Sequence, residues 1–162
     1  MKKLILCALV LSTIISCKKE PTQFSEVAMR EQFETTDGKL VTFESILEKH
    51  KGKTVLMTFW ATWCKDCRQE LPRVKALQQE KTEIDYVFLS IDRSVEKWKQ
   101  GITQFGIEGD HYFIPLGWDG PFSDFINLDW ITRYMVIDPK GKIKLFEAIK
   151  ANNINLRESL NN

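Results

Sequence analysis

Thr54-Val55-Leu56-Met57-Thr58-Phe59-Trp60-Ala61-Thr62-Trp63-Cys64-Lys65-Asp66-Cys67-Arg68-Gln69-Glu70-Leu71-Pro72 is the stretch that decides the fold of this 162-residue chain. Its first six residues form a β-prone apolar run, the pattern of a central strand buried on both faces. Residues 64–80 then read as a helix, with charged and amide side chains on one side and Leu71, Val74 and Leu77 on the other. A strand followed closely by a helix puts Cys64 at or beside a helix N-terminus, where unpaired N–H groups and the positive end of the helix dipole stabilise a thiolate. Cys64 is the expected nucleophile. Cys67, three residues on and one turn inward, is placed to attack a mixed disulfide on Cys64 and release the partner. Pro72 has no N–H for the Arg68 carbonyl and predicts a helix kink rather than any chemistry.

Outward from this stretch, Ile84 to Ile91 is a second buried strand, so strand, helix and strand make a βαβ unit with parallel strands. Ser94 caps a helix running to about Phe105. Residues 106–129 are more irregular, with a strand at Tyr112 to Leu116 and a helical turn near Phe122 to Asn127, and read as an insertion within the basic unit. Tyr134 to Asp138 and Lys142 to Ala148 flank Asp138-Pro139-Lys140-Gly141, which predicts an antiparallel hairpin, and a last helix is expected from about Asn153 to Leu160. On the N-terminal side, Phe33 to Phe43 reads as two short strands around the Asp37-Gly38 turn, followed by a short helix from Ser45 to His50 that Gly52 stops. There is no internal repeat.

The apolar fraction of 43 % is enough for one real core, and 23 basic against 22 acidic residues give no sign of a nucleic-acid or polyanion partner. Lys2-Lys3 followed by the apolar run Leu4 to Ile15 is a secretory signal, too short to span a bilayer. Ile14-Ile15-Ser16-Cys17 also resembles a bacterial lipobox, which makes residues 1–16 a lipoprotein signal peptide, Cys17 the lipid-attachment site, 17–23 an acylated cysteine with a polar tether, and 24–162 the folded domain. Cys7 leaves with the signal and Cys17 is blocked, so Cys64 and Cys67 are the remaining thiols, in a compartment where disulfides persist. A purely structural disulfide over so short a loop contributes only about 2 kcal/mol by chain entropy. Zinc wants four ligands, whereas His50 and His111 stand far from the cysteines in sequence, so no metal and no cofactor are expected.

The segment Phe59 to Pro72 resembles the active-site segment of the TlpA/ResA branch of thioredoxin-like proteins. The likeness covers the Trp before the first cysteine, the glutamate three residues after the second and the proline five after it. A weaker resemblance runs over residues 33–148, including Leu89-Ser90-Ile91-Asp92 and Val136-Ile137-Asp138-Pro139-Lys140-Gly141-Lys142-Ile143. It implies a thioredoxin-like α/β fold, a mixed four- to five-stranded sheet flanked by helices, here with the N-terminal hairpin and the central insertion. The activity it implies is dithiol–disulfide exchange on envelope proteins. Glu70, a carboxylate on the Cys67 side of the helix, suits proton transfer to and from the resolving thiol, the role the resemblance implies for the matching glutamate, with a solvated helix-surface position as the alternative. Trp63 is expected to shield the disulfide or touch the partner, with a buried core position as the alternative.

One position departs from the family. Thioredoxin-like proteins place a cis-proline opposite the cysteines, and the alignable residue here is Thr132, so the loop either stays trans or holds a cis bond without proline. Thr132 therefore joins Trp63 as an expected substrate-binding residue of altered selectivity. The leading expectation is a disulfide reductase of exported, disulfide-containing proteins, recharged by a membrane thiol reductant. The chain is expected to sit in the cell envelope on a lipid anchor facing the periplasm, the outer membrane being favoured by Lys18. Two other readings stay open: a redox sensor or binding module on the same fold, and a thiol peroxidase, against which stands Ala61 where such enzymes carry threonine.

Overall fold

Val55 to Trp60 is buried along its whole length, which requires neighbouring strands on both sides and helices on both faces. The computed structural model, which describes residues 20–161, supplies them. In chain order the elements are α1 (Glu26–Arg30), β1 (Gln32–Thr35), β2 (Leu40–Thr42), α2 (Phe43–Lys49), β3 (Val55–Trp60), α3 (Lys65–Glu80), β4 (Asp85–Ser90), α4 (Val95–Phe105), β5 (Asp110–Phe113), α5 (Pro121–Phe125), β6 (Arg133–Ile137), β7 (Ile143–Ala148) and α6 (Ile154–Ser159). The strands form one sheet in the order β2-β1-β5-β4-β3-β6-β7. β3 pairs parallel with β4 and antiparallel with β6, in the registers Phe59 to Leu89 and Phe59 to Arg133. The predicted βαβ unit and the terminal hairpin β6-β7 are both present.

The sheet has seven strands rather than the four or five that the resemblance implied. The cause is β5, whose residues fall in the segment read as an insertion. β5 pairs parallel with β4 on one side and antiparallel with β1 on the other, and so welds the N-terminal hairpin onto the central sheet. Its polar first half, Asp110-His111, hid this role, since a short strand with a mixed pattern carries little periodic signal. α1 was not anticipated either; its five residues are held by the Ser25 cap and by packing rather than by length. The chain already meets the sheet at Thr22, whose carbonyl accepts from Ile143 N at 3.0 Å. The expected signal segment and Cys17 lie outside the described residues.

The hairpin end is fixed by aromatic packing. Phe43 and Phe122 rings lie 4.4 Å apart, Phe33 meets Phe122 edge-on at 5.2 Å, and Phe59 of β3 reaches the same Phe122 ring at 6.0 Å. Such pairs contribute about 0.5–1.5 kcal/mol each beyond the area they bury. The active-site face is fixed differently, through α3 and α4. α3 turns Cys67, Glu70, Leu71, Val74 and Leu77 inward, and Pro72 sits inside it without ending it. α4 presses so close that a Cβ on Gly101 would fall 2.2 Å from Thr62 Cγ2 and 3.3 Å from the Trp60 ring. Among the described residues no helix is long and apolar enough to cross a membrane.

Candidate active site

Cys64 is the N-cap of α3, with extended backbone, and its sulfur accepts the N–H of Cys67 at 3.0 Å. A sulfur in the place usually held by a serine or aspartate oxygen lies on the helix axis, where free N–H groups stabilise negative charge. The two cysteines are joined as a disulfide with Cα atoms 5.3 Å apart. Exposure separates their roles: Cys64 retains 6 % of its surface and lines a pocket of about 360 Å³, whereas Cys67 retains 1 % and does not line it. An incoming sulfur therefore meets Cys64 first.

The loop ahead of Cys64 is tied from two sides. Asp92, buried just beyond the end of β4, accepts from Thr62 N at 3.0 and 3.1 Å, from the Thr62 hydroxyl, and from Ser90 Oγ at 2.8 Å. Arg68 of α3 donates to the Thr62 carbonyl at 2.7 Å. Neither Thr62, Asp92 nor Arg68 was singled out from the sequence. The signal was Ser90-Ile91-Asp92 directly after a buried strand, where a carboxylate needs a partner.

Across from the cysteines, the Ile131–Thr132 peptide bond is cis, and the Ile131 carbonyl oxygen stands 3.7 Å from Cys64 Sγ. Thr132 is buried and its hydroxyl has no hydrogen-bond partner. Arg133 next to it is also buried and acts as a clamp on the preceding loop. It donates from Nη1 to the carbonyls of Ile126 (2.9 Å) and Asn127 (3.1 Å) and from Nη2 to Asp129 at 2.6 Å.

Glu70 is buried one turn beyond Cys67 on the inner side of α3. One of its oxygens accepts from Ala151 N at 2.8 Å and the other is bonded by Arg73. The carboxylate is thereby held between the helix and the segment that follows β7. The buried Tyr134 hydroxyl has no partner, and burial together with the Glu70 charge pushes its ionisation well above the ordinary phenol range. Trp63 is half exposed at the mouth of the pocket rather than in the core, which settles its position among the two that the sequence allowed. Trp118 and Trp130 share that pocket; they lie in and just beyond the irregular segment, where no periodic pattern marks them in the sequence.

The histidines stand away from this site. His50 is buried between Asp85 (2.8 Å) and Asp110 (3.1 Å), and His111 stacks on Phe88 with its Nε2 3.1 Å from the Ile107 carbonyl. Desolvation holds His111 below the usual imidazole range. Among the described residues there is no group of three or more His, Cys, Asp or Glu side chains arranged to hold a metal.

Comparison with known proteins agrees with this geometry. The thioredoxin-like family profile matches residues 52–143. The thioredoxin-like protein YneN of Bacillus subtilis is 36 % identical over 123 residues, 74 % of this chain and 72 % of that protein. The thiol-disulfide oxidoreductase ResA of Oceanobacillus iheyensis is 28 % identical over 151 residues, 87 % of this chain and 74 % of that one. A Bacteroides vulgatus protein solved in solution as a candidate thiol-disulfide oxidoreductase superposes with a TM-score of 0.69 at 28 % identity, covering 85 % of this chain and 88 % of its own. With a family match over more than half its length and a Cys64–Cys67 pair at a helix N-terminus, the chain belongs to the thioredoxin-like family, as a thiol–disulfide oxidoreductase of the ResA type.

Proposed function

We propose that this protein reduces disulfides in exported proteins of the cell envelope. In the dithiol form, the Cys64 thiolate attacks one sulfur of a substrate disulfide. That S–S bond breaks, a mixed disulfide forms on Cys64, and the displaced substrate thiolate takes a proton. Cys67 then attacks Cys64 Sγ, the second substrate sulfur leaves as a thiol, and two electrons have passed from the cysteine pair to the substrate. The resulting Cys64–Cys67 disulfide is returned to the dithiol by a membrane-bound dithiol reductant. The observation that carries this reading is the seat of Cys64, a sulfur capping α3 and open to a pocket that its mate does not reach.

Glu70 is assigned the proton of Cys67. A carboxylate buried three residues along the same helix accepts that proton as Cys67 becomes a nucleophile. Trp63 and the Ile131–Thr132 segment face the incoming substrate. The leader ending in Cys17 supports lipid anchoring in the envelope, facing the periplasm, with the outer membrane favoured by Lys18. Several acyl chains hold a protein firmly at roughly 0.8 kcal/mol per buried methylene.

Insulin reduction with dithiothreitol as the electron source tests the assignment. The wild-type protein is expected to accelerate it and Cys64→Ser to lose the acceleration entirely; unchanged catalysis by Cys64→Ser would end the nucleophile assignment.

A further inference from the structure

The chain has five tryptophans, and their placement is not even. Trp60 and Trp98 are fully buried in the core. The other three, Trp63, Trp118 and Trp130, expose 45 %, 37 % and 58 % of their surface, and all three line a pocket that opens on Cys64. They come from three separate places: the loop before α3, the turn between β5 and α5, and the loop before β6. Large aromatic faces left in water at one spot, supplied by three distant segments, are characteristic of a recognition surface rather than of unfinished core. The pocket's volume, about 360 Å³, is at the lower end of sites that enclose a ligand side chain with its neighbours. The loop leading to Trp130 is tied down by the buried Arg133 guanidinium, which bonds Ile126, Asn127 and Asp129.

We infer that Trp118 and Trp130, together with Trp63, select the substrate: an exposed polypeptide segment in which an aromatic or large aliphatic residue neighbours the target cysteine. This rests on the exchange reaction proposed above and names its substrate class. Two observations choose this occupant. Cys64 is itself part of the pocket lining, so a side chain seated there holds its neighbouring cysteine beside the attacking sulfur. The pocket's charged lining residues are Lys65, Asp66 and Asp129, and Asp129 is already paired with Arg133 at 2.6 Å, so the lining has no excess of either sign and the indole faces decide what binds. Indole faces bind apolar or aromatic side chains by contact area, whereas a carboxylate laid against them loses hydration with no partner to offset it.

The test uses the reduced full chain with Cys67→Ala, which stops at the mixed disulfide. Two cysteine peptides are supplied as thionitrobenzoate disulfides, one with Trp and one with Glu beside the cysteine. Attack by Cys64 on the peptide sulfur forms the mixed disulfide and releases coloured thionitrobenzoate, so the rate is read directly. The Trp peptide is expected to react about tenfold faster, the fold-change matching partial burial of one large apolar side chain. Adding Trp118→Ala and Trp130→Ala should bring that ratio close to one, and Trp118→Phe with Trp130→Phe should keep most of it. Equal rates in the parent, or a ratio that survives the double alanine change, overturn the proposal while leaving exchange itself intact. A parent that fails to react even with the uncharged disulfide 2,2′-dithiodipyridine overturns the exchange reading, and this inference falls with it.

Discussion

Asp92 holds Thr62 at both its N–H and its hydroxyl, and thereby fixes the loop that delivers Cys64 to the start of α3. The carboxylate is buried and also bonds Ser90 Oγ, so every donor around it depends on this one side chain. Asp92→Ala leaves several buried donors without partners and is expected to destabilise the fold by about 2–4 kcal/mol, since each lost partner costs about 1–3. Asp92→Asn keeps an acceptor and should cost less. Urea unfolding measures both, and equal stability of Asp92→Ala and wild type would remove the loop anchor from this account.

Gly101 approaches the same loop from α4. Alanine is normally the better helix residue by about 1 kcal/mol. Here its methyl would meet Thr62 Cγ2 at 2.2 Å, and Thr62 is not free to rotate because Asp92 holds its hydroxyl. Gly101→Ala is therefore expected to lose about 1–3 kcal/mol of stability, the usual range for overpacking. A gain in thermal stability would show that α4 has room to move.

Glu31 gives a pH dependence with a definite sign. It is buried, with one oxygen accepting from Phe122 N and the other without a partner, and desolvation raises its pKa above the ordinary carboxylate value. The folded state then binds the proton more tightly than the unfolded state, so the stability present below pH 4.5 is lost as pH rises through the folded-state value. Glu31→Gln keeps the bond to Phe122 N and removes the charge. It should be more stable than wild type at pH 7 by on the order of 1 kcal/mol, with the difference vanishing in acid. Denaturation curves at pH 4 and pH 7 decide it, and a difference that does not change with pH counts against the burial of a charge.

Glu70→Gln separates the proton role from the structural one. The amide oxygen still accepts from Ala151 N, so folding is retained, but no carboxylate remains to take the Cys67 proton. Resolution of a preformed mixed disulfide on Cys64 is expected to slow about 100-fold, the lower range for a positioned acid or base. The first attack by Cys64 should change far less. Stopped-flow release of the trapped thiol follows both steps, and an unaltered second step would leave Glu70 a purely structural residue.

Much of this architecture was legible because its signals are local. The apolar run Val55–Trp60, the one-sided helix Lys65–Glu80 and the Asp138–Gly141 turn each declare their structure within a few residues. The reactive pair was legible for the same reason, since the strand, the two cysteines and the helix are consecutive. What escaped depends on contacts distant in sequence. A strand is expected at Tyr112 to Leu116 and lies at Asp110–Phe113, but its place inside the main sheet depends on the edges that β1 and β4 offer on both sides of it. Asp92 gains its meaning from Thr62, thirty residues earlier. Trp118 and Trp130 gain theirs from Cys64, more than fifty residues away. Thr132 could be aligned with the family's proline, but its backbone state could not be read from side-chain pattern.

The most direct measurement is the alkylation of the reduced protein by iodoacetamide as a function of pH, with the modified cysteine identified by peptide mass. Ordinary thiols are mostly protonated below about pH 8 and react slowly there. The account predicts that Cys64 is carboxamidomethylated rapidly near pH 7 while Cys67 is spared. Equal modification of both sulfurs, or slow modification of Cys64 until the pH exceeds that of an ordinary thiol, would contradict it.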